Sequence, residues 1–472
     1  MTFSRHPHDE RLAGEAVAIA GLRAAPKALI DMGTGPGPRE GSGAVAVKQA
    51  RDTTFALMFM VMLTIAAGNT ALQSVLPALG RSLGVRDAEV ALAFSISALF
   101  WVLAAPFWAH RSHRHGRRAM ILLGLGGYAI SLVLCGVFLL AGINGWIGGT
   151  AAFVLFILGR VIYGATGAAA PPAVQALVAG STTREERTRA LTLLASAFGL
   201  GTILGPALAP YLILGHIGPV AIGLAAPAFV FALFGAAMLV AVWRRLPDDR
   251  RVADDAHGAA TAYPSIGGQS SGASVTAAIA PEGGGRIGAL DPRLRWWLLV
   301  GLVMGHAQAM TGQVIGFLVI DRLGVSPVDA LGATGLVLMT GAGASLLAQW
   351  GMIPLLDLRP RALVLVGLAL AAAGCWATGH ATTLPAIASG YALASLGFGF
   401  VRPGFTAGSS LAVDASLQAS VAGKVTSISG ASFVLGPSIG VALYGVGHAL
   451  PYDAAAIACV AMLPLGWRAL RE

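Results

Sequence analysis

Two arginines, Arg160 and Arg402, lie inside long apolar stretches of the sequence. A guanidinium stays protonated at physiological pH and presents five N–H donors in a planar fork. A permanent charge among apolar residues is costly, so it usually marks a pathway or a paired site. The chemistry open to these arginines is the recognition of an anion or an acceptor oxygen, and neither can carry a proton. For Arg160, a structural arginine bonded to neighbouring carbonyls is the alternative.

Uncharged polar side chains accompany the arginines in the same stretches. They are amides and one hydroxyl: Asn69, Gln73, Gln308, Thr311 and Gln313. Such groups either line a substrate cavity or join helices by hydrogen bonds, and both interpretations stay open. A cavity lined by amides, Arg160 and Arg402 suits neutral or anionic solutes better than multivalent cations.

Groups that could carry a proton are few, because all 22 carboxylates fall in tails, loops or at the ends of apolar stretches. Of the ten histidines, His306 alone lies well inside a stretch. An imidazole ordinarily titrates near neutral pH, so we predict His306 as the proton-coupling group. Asp52 and Asp321 are the alternatives, and so is a neutral histidine bonded to a neighbouring carbonyl.

The apolar stretches dominate the composition of the chain. Hydrophobic residues make up 56% of its 472 residues and charged residues only 11%, whereas soluble domains carry about 25% charged residues. This composition excludes a soluble globular enzyme and a disordered chain. A helix needs about 20 residues to cross a bilayer, and twelve stretches are long enough. We predict spans over 53–76, 90–109, 119–141, 151–172, 190–214, 220–243, 296–320, 329–355, 362–380, 384–412, 421–445 and 452–468.

The twelve spans divide into two halves that repeat each other. Leu204-Gly205-Pro206 in the fifth span matches Leu435-Gly436-Pro437 in the eleventh, and Arg118 before the third matches Arg361 before the ninth. The predicted architecture is an all-α polytopic membrane protein with two pseudo-symmetric six-helix bundles. Its parts are a flexible cytoplasmic tail (1–50), a first bundle (51–243), a cytoplasmic linker (244–293), a second bundle (294–468) and a short tail (469–472).

The net charge of +9 is distributed unevenly between the two sides of the predicted membrane. Of the 31 lysines and arginines, 26 fall on the side of the tails and the linker, and only Arg81, Arg86 and Arg322 fall on the other. Positive charge collects on the cytoplasmic side of membrane proteins. We therefore predict a cell inner (plasma) membrane protein with both termini cytoplasmic. Its partner is the lipid bilayer and not nucleic acid.

The loop after the second span combines glycine with basic residues. It contains Ala109-His110-Arg111-Ser112-His113-Arg114-His115-Gly116-Arg117-Arg118. Gly116 permits a tight turn, and the arginines suit an anionic membrane surface. The loop resembles the signature loop of the major facilitator superfamily, although Ala109 and His113 replace the Gly and Asp of that family. The resemblance implies a gating loop of His113, Arg114, Gly116, Arg117 and Arg118; an ordinary positive-inside loop is the alternative.

The fourth and fifth spans contain patterns that resemble motifs of the same superfamily. Arg160 is followed by glycines at 164 and 167, as in the fourth span of proton-coupled members. The fifth span is similar to the antiporter motif of drug:proton exporters, in which small residues allow close helix packing and a proline bends the helix. The residues of that motif and of its repeat are Gly201, Gly205, Pro206, Gly436 and Pro437.

The resemblance implies two six-helix bundles around one cavity, a small-molecule substrate, no cofactor and exchange for protons. We expect a monomer that exports a small amphipathic or anionic compound. An importer or uniporter of the same fold is the main alternative. A polytopic membrane enzyme is a remote one, since it would need a cluster such as His/Asp at one membrane face. His110, His113 and His115 have no acidic partner in their loop, so neither catalytic residues nor a metal site are expected.

Overall fold

In the described part of the chain, the computed structural model has twelve helices long and apolar enough to cross a membrane. The structure describes residues 42–248, 259, 263–265 and 285–470, without the side chains of 42–50, 113, 114, 184, 185 and 415. The predicted N-terminal tail lies outside the described residues up to residue 41, and so does most of the linker. The first half contains α1 (Ser42–Ser82), α2 (Asp87–His115), α3 (Arg117–Ile143), α4 (Gly149–Ile162), α5 (Ala170–Gly180), α6 (Arg184–Leu208) and α7 (Ala226–Arg245). The second half contains α8 (Arg295–Leu323), α9 (Ala330–Leu346), α10 (Ile353–Leu356), α11 (Pro360–His380), α12 (Leu384–Leu411), α13 (Gln418–Val446) and α14 (Leu450–Ala469).

The predicted all-α class with twelve spans is confirmed. The fourth span joins α4 and α5 through a π-helical turn, Tyr163–Gly167. The eighth span joins α9 and α10 through a second one, Leu347–Met352. Such turns widen the helix locally and are common at functional sites. The first of them begins three residues after Arg160.

A β-hairpin between the fifth and sixth spans departs from the prediction. Strands β1 (Leu214–Ile217) and β2 (Val220–Gly223) pair antiparallel, with Leu214 opposite Gly223. Gly218 and Gly223 have φ of +59° and +48°, which glycine adopts without steric cost. The predicted helix start at residue 220 is therefore wrong, and α7 begins at Ala226 because the turn glycines divert the chain first.

Equivalent spans make equivalent contacts in the two halves. A β-carbon built on Gly201 or Gly205 of α6 would collide with the backbone of α1, and one on Gly436 of α13 would lie 2.6 Å from the Cβ of Ala309 in α8. The fifth and eleventh spans thus pack on the first and seventh through the motif glycines. The prolines of the motif, Pro206 and Pro437, lie inside α6 and α13.

Arginines at the start of the third and ninth spans extend the repeat. Arg118 donates from Nη2 to the carbonyl of Trp243 at 2.7 Å, and Arg361 donates to the carbonyl of Trp467. Each arginine therefore joins the start of the third helix of its half to the end of the sixth. The match between Arg118 and Arg361 in sequence corresponds to one contact made twice.

The two halves meet near one end of the bundle. We call the end where α1 finishes and α2 starts the Arg81 end, and the opposite end, where α7 finishes and α8 starts, the linker end. At the Arg81 end, Arg81 pairs with Asp321 of α8. Deeper in the bundle, Ser95 of α2 lies 2.8 Å from Ser438 of α13, Oγ to Oγ. These contacts close the Arg81 end between the halves.

Candidate substrate site

Arg160 is completely buried near the middle of the first half. Its Nη2 donates to Oδ1 of Asn69 in the first span, and its own carbonyl accepts a bond of 3.0 Å from Ser97 Oγ in the second. Aromatic faces cover the guanidinium, whose Cζ lies 4.6 Å from the ring centre of Tyr163 and 5.3 Å from that of Phe94. Cation–π contacts of this kind stabilise a charge removed from water. The first, second and fourth spans therefore hold Arg160 in a fixed position.

The linker contributes an unforeseen residue to this site. Tyr263, only 1% exposed, accepts a hydrogen bond from Arg160 Nη2 and donates one of 3.1 Å to Ser97 Oγ. Asn69 Nδ2 donates to the carbonyl of the next residue, Pro264. Tyr263 lies within the predicted cytoplasmic linker (244–293). Its one signal is that it is the only Phe, Trp or Tyr between residues 244 and 293.

The second half repeats the pairing of arginine with amide. Arg402 of the tenth span, 4% exposed, donates from Nη2 to Oε1 of Gln308 in the seventh. Because the fourth and tenth spans are equivalent, and the first and seventh also, this pair is the counterpart of Arg160 and Asn69. The predicted arginines and two of the predicted amides thus come together as two symmetry-related pairs.

The other predicted polar residues fall into two groups, those that join the halves and those that bond within their own helix. Gln73 donates from Nε2 to Oε1 of Gln313 at 3.0 Å, which links the two halves at the centre. Thr311 instead bonds the carbonyls of Ala307 and Gln308 in its own helix. The structure therefore brings Gln73 and Gln313 together and leaves the Thr311 hydroxyl out of that group.

Two cavities lie between the halves near these amides. One is lined by Gln308 together with residues of the fifth, eighth and tenth spans: Thr202, Pro206, Ser345, Tyr391 and Ser395. The other has Gln73 and Gln313 in its wall. Polar and apolar groups line both, and each encloses room for only about one water molecule.

The residues predicted to move protons do not meet at one place. His306 is half-buried in α8; its Nδ1 lies 2.8 Å from the carbonyl of Leu302 and 3.3 Å from Ser432 Oγ in α13. Asp52 is exposed near the linker end. Asp321 lies at the Arg81 end, far along α8 from His306.

Asp321 belongs to a polar cluster that joins the halves. Besides Arg81, it accepts a hydrogen bond of 2.6 Å from Tyr444 Oη, and His448 Nε2 lies 3.8 Å away. Arg81 also pairs with Asp87 at 2.8 Å. Asp321 is therefore placed as a contact of the closed end.

The predicted gating loop is only partly described. Gly116, with φ of +83°, separates α2 from α3 and makes the predicted tight turn. Arg117 is half-buried at the start of α3, beside Arg118. The side chains of His113 and Arg114 lie outside the described residues. No group of three or more His, Cys, Asp or Glu in the described part of the chain could hold a metal ion.

Twelve apolar spans in two repeated halves, with charged and polar groups buried between them, define a multi-pass membrane transporter. A sequence profile described as "Major Facilitator Superfamily" matches residues 58–467. The chain belongs to this superfamily, as the motifs predicted, and the family is one of membrane transporters and not of enzymes.

Relatives and solved structures agree with this assignment. The chain is 34% identical over 145 residues to multidrug resistance protein MdtG of Proteus mirabilis, which is 30% of this chain and 33% of that protein. It is also 32% identical over 156 residues to the class D tetracycline resistance protein of Salmonella ordonez. That alignment covers 32% of this chain and 36% of that protein. The matches thus span about a third of these relatives. The same fold occurs in the crystal structure of a bacterial homologue of the human lysosomal transporter Spinster, in an inward-facing and occupied conformation. The TM-score is 0.65 at 13% sequence identity, and the match covers 89% of this chain and 97% of that one.

Proposed function

We propose that this protein exports a small amphipathic or anionic compound in exchange for protons, by alternating access. The observation that carries the proposal is the pair of buried arginines, Arg160 in the first half and Arg402 in the second, each bonded to an amide of its own half. The carboxylates of the sequence lie in its tails and loops or near span ends, so two positive charges at the centre attract acceptor oxygens and anions.

Export is supported by the names of the relatives and by the antiporter-like motif of the fifth span. Proteins named for multidrug and tetracycline resistance match parts of the chain. Gly201 and Gly205 seat the antiporter-like motif directly on the first span, where a leak between helices would dissipate a gradient. We place the linker end in the cytoplasm because basic residues concentrate there, with the protein acting as a monomer.

The experiment is transport by the purified full chain in proteoliposomes of known orientation. A panel of amphipathic and anionic compounds is tested for uptake with an imposed proton gradient, without it, and with the gradient reversed. We expect accumulation on the side that corresponds to the cell exterior, driven by inward proton flow. Equal counterflow with no response to the gradient would establish a uniporter, and movement of substrate together with protons an importer.

A further inference from the structure

The side chains around the ring of Tyr263 come from membrane spans and not from the linker. The walls of this pocket come from three spans: Asn69 from the first, Ser97 and Trp101 from the second, and Arg160 and Tyr163 from the fourth. All five are 0% exposed. Tyr263 is the occupant of this pocket and belongs to none of its walls.

The ring of the occupant is held by other rings. Trp101 lies 5.8 Å from it, centre to centre, at an interplanar angle of 85°, and Tyr163 lies 6.1 Å away at 66°. Edge-to-face contacts at these separations favour a flat aromatic group over an aliphatic one of equal size. The walls are therefore shaped for an aryl ring.

The hydroxyl of the occupant is recognised from both sides. It accepts from Arg160 and donates to Ser97. A methyl ether could accept but not donate, and a hydrocarbon ring could do neither, which would leave buried polar groups without partners. The pocket therefore distinguishes a hydroxyaryl group from its close analogues.

Tyr263 leaves some hydrogen-bond donors of Arg160 without an acceptor. The Nε and Nη1 atoms of this arginine are buried and have no hydrogen-bond partner among the described residues. An occupant that carries negative charge or a further acceptor would stabilise the guanidinium better than a neutral phenol does. A free ligand of that kind can displace Tyr263, because it offers Arg160 the charge or acceptor that the phenol lacks.

We propose that this pocket is a binding site for hydroxyaryl compounds, with preference for acidic phenols, and that Tyr263 is a tethered competitor that occupies it when no ligand is bound. This inference rests on the proposed function, because it assigns a substrate class to the site around Arg160. It also gives the linker a role: a hydroxyaryl ligand has to expel Tyr263 before it can bind.

The test is equilibrium binding of 4-nitrophenol to the purified full chain in lipid nanodiscs, without any gradient. Its para substituent occupies the place where the tyrosine ring joins its backbone, and its phenolate absorbs visible light. We expect saturable binding of this probe, measured by equilibrium dialysis from its absorbance, because the site offers its hydroxyl the same donor and acceptor that hold Tyr263. The matched probe 4-nitroanisole, which has no hydroxyl, should bind more than about tenfold more weakly, since it leaves buried partners unpaired.

Three variants complete the test. Tyr263→Ala removes the competitor and should tighten 4-nitrophenol binding by about tenfold, as expected for loss of a tethered ligand of high effective concentration. Tyr263→Phe, which keeps the ring and loses the hydroxyl bonds, should give an intermediate affinity. Tyr211→Ala is the control, because Tyr211 is 83% exposed and lies outside the pocket; it should bind as the unaltered chain does.

Equal binding of the two probes, or an unchanged affinity in Tyr263→Ala, would overturn the proposal. Loss of binding in Tyr263→Ala would overturn it as well, because the tyrosine would then be part of the site. These outcomes are separate from those of the transport experiment, since binding here needs neither protons nor a direction. A chain that exports other compounds but ignores 4-nitrophenol would refute the pocket and leave the exporter in place.

Discussion

Arg160 carries a permanent charge, and its neighbours among the described residues are neutral groups. Its described partners are an amide, a phenol and aromatic faces. A charge held in this way is available for a substrate, whereas an arginine neutralised by a carboxylate would not be. Burying this charge is unfavourable, and the packing of three spans around it offsets that free energy. The charge is therefore retained for function.

We expect Arg160→Ala to reduce transport to the level of vesicles without the protein, while the chain still folds and inserts. Arg160→Lys should not restore it fully, because a point charge cannot replace a planar fork of donors. The measurement is substrate flux in proteoliposomes. Arg86→Ala is the control, since the side chain of Arg86 is 84% exposed. Near-normal flux in Arg160→Ala would remove Arg160 from the mechanism.

His306 allows a sharper test of proton coupling. Its Nδ1 lies against the Leu302 carbonyl, so the contact foreseen for a merely structural histidine is present. We still predict that His306→Gln, which keeps polarity but cannot titrate, abolishes substrate-induced proton movement. His380→Gln, at a half-exposed histidine of the same half, is the control. Proton movement with unchanged pH dependence in His306→Gln would show that coupling lies elsewhere.

At the residue scale, the sequence predicts the buried arginine Arg160 but not Tyr263, which lies against it. Arg160 and Asn69 are recognisable because polar groups in apolar stretches need partners. Tyr263 is not, because it lies some hundred residues further along in a stretch without periodicity. For Thr311 two interpretations stay open in the sequence, because a threonine in a helix can also bond its own backbone, and in the structure its hydroxyl makes that bond.

At the element scale, the motif glycines of the fifth span are contact points between helices. We predict that Gly205→Ala impairs export, because a single methyl group there meets the carbonyl of Ala67 and the hydroxyl of Thr70. Overpacking of this kind costs about 1–3 kcal/mol. The matched control is Gly199→Ala on the same helix, where an added β-carbon has nothing within 4 Å.

Export rate and thermal stability in membranes are measured for both variants. A well-expressed Gly205→Ala chain with normal export and normal stability would contradict the prediction. A loss shared equally by Gly199→Ala would do so too, since it would reflect helix propensity and not the contact.

The helices themselves were largely predictable, since apolar length determines where a span lies. The prediction failed between the fifth and sixth spans, where 220–223 is apolar enough for a helix but pairs with 214–217 as a hairpin. The match between Arg118 and Arg361 was visible in sequence. Their bonds to the ends of the sixth and twelfth spans were not, because a backbone carbonyl leaves no mark in the sequence.

At the scale of the whole molecule, side-chain pairs join the two halves at the Arg81 end. Arg81 and Asp321 join the halves at one end, and Ser95 and Ser438 meet below them. From the other end the linker reaches Arg160. Two repeated halves can rock about a central site, so that a transporter opens first to one side and then to the other. The contact between Ser95 and Ser438 must then break in every cycle.

A disulfide placed at this contact tests that requirement. In Ser95→Cys/Ser438→Cys, the two sulfur atoms would take the place of hydroxyl oxygens 2.8 Å apart, so oxidation should join them. We expect the oxidised double variant to stop transporting and to recover on reduction. Cys135, Cys375 and Cys459 are all buried, so the native cysteines can remain.

The single variants Ser95→Cys and Ser438→Cys, treated with the same oxidant, are the controls and should keep their activity. Binding of a transported compound to the oxidised double variant is measured beside its flux, because a molecule locked at the Arg81 end can still open at the linker end. Loss of flux with binding retained means that the halves must separate at Ser95 and Ser438. Undiminished flux through a fully crosslinked chain would mean that substrate passes without this movement, and alternating access would have to be abandoned for this protein.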